Sequence, residues 1–243
     1  MQHRIVSRDE WLEARKAHLA KEKELTRLRD ALAEERRSLP WVRVDKDYGF
    51  DTPDGRKTLA DLFDGRSQLI VQHFMFGPDW EQGCVGCSFE ADHADAANMH
   101  LQHHDVTFVA VSRAPLSKLE TYRRRMGWRF RWVSSLGSDF NYDYHVSATQ
   151  ADIAAGRVRY NFQKSKDPGE EMPGVSVFCR NDAGEIFHTY SSYGRGNEEV
   201  LSAYMFLDIT PKGRNETGPM SWVKRHDEYE ARLNPTGDCC AAK

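Results

Sequence analysis

The most apolar run in the chain, Gln68-Leu69-Ile70-Val71-Gln72-His73-Phe74-Met75-Phe76, is stopped by Gly77-Pro78-Asp79, and two cysteines, Cys84 and Cys87, follow close behind. A continuous apolar run of strand length reads as a central strand buried on both faces. From Ser88 to His104 there is neither Gly nor Pro, and Ala, Glu and Asp dominate, which predicts a helix of about four turns. The C-x-x-C pair therefore stands where a buried strand hands over to a helix.

The downstream pattern extends this unit. Asp105–Ser112 reads as a second buried strand, and Pro115 suits the first turn of a helix whose Leu116, Leu119, Tyr122 and Met126 share one face until Gly127 ends it. Trp132–Ser134 looks extended. Gly174–Cys179, a turn at Asn181-Asp182-Ala183-Gly184, and Glu185–Tyr190 read as a hairpin, followed by a helix around Glu198–Phe206. Asp139–His145 and Ala148–Glu171 carry no decisive pattern. Upstream, Ser7 and Glu10 have capping-box spacing at the head of one long helix to Leu39. Trp41–Val44 alternates like a strand, two short extended pieces flank Pro53-Asp54-Gly55, and Leu59, Leu62 and Phe63 make a short helix. The order is α/β. It divides into an N-terminal helical extension (1–40), a central domain (41–210) and a C-terminal extension and tail (211–243), with a short helix expected over Ser221–Leu233.

Composition narrows the function classes. The 34 basic and 37 acidic residues leave a net charge of −3, which predicts neither nucleic-acid nor anionic-membrane binding for the molecule as a whole. No apolar run approaches the roughly 20 residues of a membrane span, and the charged N-terminus lacks a secretory apolar region. Five cysteines, Cys84, Cys87, Cys179, Cys239 and Cys240, are an odd number, unlike a secreted disulfide framework. A reducing, cytoplasmic setting follows as the expectation, and there a C-x-x-C pair is more often catalytic or metal-binding than structural.

A thiol attacks as its thiolate. A cysteine at a helix N-terminus meets unpaired backbone N–H groups and the positive end of the helix dipole, worth roughly 0.3–2 kcal/mol, or about one pKa unit. Cys84 is thus the expected nucleophile and Cys87, one turn on, the resolving thiol. The intervening Val85-Gly86 offers no cation, so a moderate activation is expected. Cys84, Cys87, His100 and His104 match the spacing of a two-cysteine, two-histidine zinc finger. On one continuous helix, however, His100 would lie roughly 20 Å from Cys87, far beyond a ligand shell.

Several longer strings carry a resemblance: Phe74–Trp80, Gly83-Cys84 through Cys87-Ser88, Ser112-Arg113-Ala114-Pro115, Gly127-Trp128, Ser134-Ser135, Asp139-Phe140-Asn141, His188-Thr189-Tyr190-Ser191 and Gly194-Arg195-Gly196. Over nearly the whole chain they resemble bacterial domain-of-unknown-function family 899, which is thioredoxin-like and related in fold to thioredoxin and peroxiredoxin. The resemblance implies a thioredoxin-like fold. It also implies that Pro173, ahead of the hairpin, faces the dithiol as the cis-proline of that fold does, with Met172 and Trp80 beside it in a substrate groove. The site departs from better-known relatives. Gly83 stands where thioredoxins carry Trp before the first cysteine, and Glu81 stands where peroxiredoxins carry Thr, which weakens a peroxidase reading. Copper-chaperone relatives add a distant histidine, for which His188 is the candidate, although their cysteines are usually spaced by three residues.

Other residues read more plainly. His73 is a core histidine, whereas His93, His100, His103 and His104 lie on a polar helix face. His188, Tyr190, Tyr193 and Arg195 either line a pocket or pack together. Asp79 and Glu81 are either proton acceptors for Cys87 or loop solvation. The aromatic-basic stretch Arg123–Trp132 is packing rather than a nucleic-acid surface, and Cys239-Cys240 is either a tail pair without function or a shuttle to the active site.

The function read from these residues is thiol–disulfide exchange on a protein or small-molecule disulfide, with no cofactor and no membrane. A homodimer through the N-terminal helix is compatible with its broken apolar stripe. The alternatives are a copper or zinc module using Cys84, Cys87 and His188, and a non-catalytic scaffold of the same fold.

Overall fold

The computed structural model describes residues 3–229. The described residues divide into two compact units, 3–41 and 42–229. The first is a single helix, α1 (Arg8–Arg37), closed at its start by a full capping box: Ser7 Oγ accepts from the Glu10 N–H, and Glu10 accepts from the Ser7 N–H. No residue of α1 is buried.

In the second unit the elements run in the order β1 (Val42–Arg43), β2 (Gly49–Thr52), β3 (Gly55–Thr58), α2 (Leu59–Leu62), β4 (Gln68–His73), α3 (Val85–His103), β5 (Val106–Ser112), α4 (Leu116–Arg125) and β6 (Arg131–Ser134). Two short helices, α5 (Phe140–Asp143) and α6 (Gln150–Ala154), and a small ribbon, β7 (Arg159–Tyr160) with β8 (Gln163–Lys164), occupy the stretch whose sequence is undecided. The hairpin β9 (Gly174–Arg180) and β10 (Ile186–Tyr193) follows as expected. The expected last helix is instead a 3₁₀ turn (Gly194–Val200) and α7 (Ser202–Asp208), broken where Leu201 leaves the helical region at φ −94°, ψ 82°.

One eight-stranded sheet has the order β1-β10-β9-β4-β5-β6-β2-β3. β4 and β5 are parallel and joined through α3, while β9 runs antiparallel to β4 and β10 antiparallel to β9. This β-α-β unit closed by a β-hairpin is the thioredoxin-like core. It forms because successive strand residues face opposite sides. Leu69, Val71, Val109 and Val111 point to a core completed by Phe50, Leu62, Phe140 and Phe178. Phe108, Ala110, Phe74 and Phe76 point to the other, where Cys87, Ala91, Tyr122, Trp128 and Trp132 pack. Burying each such Phe is worth roughly 1.5–3 kcal/mol. Trp128 and Trp132 are both core residues, in keeping with the packing reading of their stretch.

A third cluster was not foreseen. Phe89 of α3 packs with Leu201, Tyr204 and Val223, so the segment after β10 folds back over α3. Over Ser221–Tyr229 the described chain has only a 3₁₀ turn (His226–Glu228) where a helix was expected; the rest of that stretch, and Cys239 and Cys240, lie outside the described residues. No helix among the described residues is long and apolar enough to cross a membrane.

Candidate active site

β4 ends at His73, and the chain leaves it still tethered: Phe74 N–H donates to Val111 O, and the Cys84 N–H returns to Met75 O at 3.0 Å. The turn between can close only because residue 83 lacks a side chain. A Cβ on Gly83 would stand 2.6 Å from the Phe74 ring. Cys84 is the N-cap of α3, with non-helical φ −56°, ψ 137°.

No side-chain hydrogen bond caps this helix. The Cys87 thiol and the backbone N–H groups of Cys87 and Gly86 favour the charged form of the Cys84 sulfur beside them. The hydrogen bond from Cys87, those backbone donors and the charge of Arg225 together outweigh burial and bring the Cys84 thiol down to about 6. Cys87 is buried, with Met75 N–H donating to its sulfur at 3.5 Å. Its bond to the Cys84 sulfur and its burial push its own thiol well above the ordinary range. The two sulfurs are thus unequal: one half-exposed and ready to ionise, one buried and held as the thiol. Both are reduced.

Two groups near the dithiol were missed by sequence reasoning. Glu90, one turn after Cys87, is buried, and that burial raises its carboxyl to about 8 despite hydrogen bonds from Asn197 and Gln72. Gln72 also donates to Cys87 O at 3.0 Å. The second is Arg225, which donates to Gly83 O and to Tyr122 Oη, both at 2.6 Å. Tyr122 in turn bonds Ser88, whose hydroxyl donates to Cys84 O at 2.8 Å. The cation that Val85-Gly86 lacks comes from the far end of the chain.

A cavity of about 240 Å³ opens beside the dithiol, lined by Cys84, Cys87, Glu90, Pro173, Leu201 and Met220 among others. Pro173 lines this cavity, and its peptide bond is trans rather than cis, since no described bond is cis. Met172 and Trp80 are not in this lining and need correction. Met172 is buried with Ala148 and Val158. Trp80 folds over Gly77, against the aromatic core, and its carbonyl accepts from Lys118. Of the cluster at the end of the hairpin, only Arg195 reaches the cavity.

The proton-acceptor reading of Asp79 and Glu81 is also corrected. Both are exposed, and Glu81 pairs with Lys118 at 3.8 Å. His188 is not brought to the cysteines. It pairs with Phe178, which pairs with Leu69, four residues or about 13 Å along β4 from the site end at His73. There its Nε2 is engaged by Ser191 Oγ and Tyr190 O. His100 shares the continuous helix α3 with Cys87, which keeps it about 20 Å away. Among the described residues no three His, Cys, Asp or Glu side chains form a metal-binding group. His73 is a core histidine bonded to Ser176 at 2.8 Å, and burial lowers it to about 3. His93 is not on the solvated face: it accepts the Ala203 N–H at 3.1 Å and so docks α7.

Comparison with solved structures returns peroxiredoxins. A PrxQ mutant from Xylella fastidiosa is 14% identical with a TM-score of 0.42, the match covering 65% of this chain and 88% of that one. Peroxiredoxin Q from Xanthomonas campestris is 14% identical, TM-score 0.42, over 64% and 87%. Peroxidoxin BcpB from Mycobacterium tuberculosis is 12% identical, TM-score 0.40, over 68% and 94%. No curated protein matches the sequence. The family described as "Bacterial protein of unknown function (DUF899)" matches residues 1–229, and the chain belongs to that family.

Proposed function

We propose that this protein is a dithiol–disulfide oxidoreductase in which Cys84 is the nucleophile, Cys87 the resolving thiol and Glu90 the proton acceptor. The observation that carries the reading is the position of Cys84: a partly exposed sulfur at the N-cap of α3 that borders a cavity, with Cys87 one turn deeper.

The Cys84 thiolate attacks one sulfur of a substrate disulfide; a Cys84–substrate disulfide forms and the first substrate thiolate leaves. The Cys84 anion is one of the influences that raise Glu90, so its consumption eases ionisation of that carboxyl. Glu90 lies three residues beyond Cys87 on the same helix, about 5–6 Å between Cβ atoms, a span that one water bridges. Glu90 gives its proton to the substrate thiolate that has left, then as the carboxylate takes the Cys87 proton as Cys87 attacks Cys84. A Cys84–Cys87 disulfide forms and the second substrate thiolate departs. Two electrons pass to the substrate, and an external dithiol restores the enzyme.

The test is single turnover of the reduced protein with a disulfide. Cys84→Ser is expected to lose roughly two orders of magnitude or more in rate, and Cys87→Ser to stop at a mixed disulfide on Cys84, seen by intact mass. Unchanged rates in Cys84→Ser, or adducts on Cys179 instead, would refute the reading.

A further inference from the structure

We infer that, if the dithiol acts as proposed above, its substrate is a small, uncharged, largely apolar disulfide rather than a protein. Size is the first ground. The cavity of about 240 Å³ falls below the roughly 300 Å³ at which drug-sized sites begin. A tripeptide disulfide does not enter it whole.

The second ground is the backbone. An extended peptide docks by pairing with free N–H and C=O groups of a strand edge. The backbone leading to Pro173 at the cavity is Glu171–Pro173, and one edge of it is already engaged by this chain. Met172 N–H donates to Val146 O at 2.8 Å, Glu171 bridges to Ser147, Pro173 has no N–H, and Pro173 O accepts from Tyr160 Oη at 2.7 Å. Residues 146–148 thus already occupy one edge of this segment.

The third ground is the wall opposite. A Cβ built on Gly86 meets Met220 Sδ at 2.8 Å and the Cys84 sulfur at 3.9 Å, so the Met220 thioether roofs the first turn of α3 beside the nucleophile. Leu201, Pro219 and Pro173 continue this apolar wall. The charges in the lining answer one another and leave no spare partner. Glu198 is held by Arg195 at 2.6 Å and Arg214 at 2.9 Å, and Glu90 is protonated at neutral pH by its burial. An ionised ligand group would lose its water there without gaining a counter-charge.

The experiment measures the second-order rate at which four disulfides oxidise the reduced full chain at one pH. They are 2-hydroxyethyl disulfide, its dicarboxylate analogue dithiodiglycolate, glutathione disulfide and insulin. Each rate is divided by that of free dithiothreitol with the same disulfide, which removes intrinsic reactivity. The normalised rate for 2-hydroxyethyl disulfide is expected to exceed the other three at least tenfold, and Met220→Ala is expected to raise the glutathione disulfide rate several-fold. Insulin or glutathione disulfide matching the small neutral compound would overturn the substrate class and leave the redox reading standing. Failure of all four to oxidise Cys84 would overturn both.

Discussion

Arg225 Nη2 donates to the carbonyl of Gly83 at 2.6 Å, joining residues 142 positions apart in the chain. The bond holds a guanidinium next to the nucleophile, and the Arg225 charge is one of the influences that lower the Cys84 thiol. The C-terminal segment is thus part of the site and not an appendage to it.

Arg225→Gln keeps a donor and removes the charge. With a Coulomb contribution on the order of 1 kcal/mol for a charge near a protein surface, the Cys84 ionisation midpoint is expected to rise by roughly 0.5–1 pH unit. Thiolate absorbance at 240 nm against pH reads this directly, and an unmoved midpoint would remove Arg225 from the activation.

Glu90→Gln separates stability from chemistry. The native carboxyl titrates near 8, far above its unfolded value, because it is buried. Between about pH 4.5 and 8 the native state therefore binds more protons than the unfolded state, and this group makes stability fall as pH rises through that window. The Gln variant is expected to flatten the fall and to be more stable at pH 7.5, on the order of 1–3 kcal/mol in a denaturant titration. It is also expected to slow the step in which Cys87 resolves the mixed disulfide. A variant that is less stable at pH 7.5 and resolves at the normal rate would exclude Glu90 from the role.

Gly83→Ala tests the turn. The new methyl would stand 2.6 Å from the Phe74 ring and 3.4 Å from that of Tyr122, both inside a packed aromatic cluster. Overpacking of this kind costs about 1–3 kcal/mol. Thermal denaturation is expected to show a loss of several degrees, and wild-type stability would contradict the close approach.

The core and the dithiol were legible in the sequence because each rests on local pattern. The apolar run of β4, the Gly- and Pro-free stretch of α3 and the turn between β9 and β10 are signals within a few residues of one another. Glu90 was not legible, because an acidic residue in a helix rich in Ala and Asp reads as solvated. A helix with one buried face would have exposed part of this turn. Cys87, Ser88, Phe89, Glu90 and Ala91 are instead buried in succession, with the sheet on one side and Leu201, Tyr204 and Val223 on the other. Arg225 and Met220 escaped for a related reason. Their segment has no periodicity to reveal that it folds back, and nothing local links them to Gly83 and Gly86. Met172 and Trp80 carry apolar character that suits a groove as well as a core, and in this chain the core takes both.

The activation of Cys84 is most directly measured by the rate of its alkylation by iodoacetamide from pH 4 to 10, followed residue by residue with mass spectrometry. The surroundings of its sulfur place the midpoint near 6, with a plateau from about pH 7 upward and Cys87 unreactive throughout that range. A midpoint near 8.5, the ordinary value of a free cysteine, would mean that the start of α3 does not activate the sulfur.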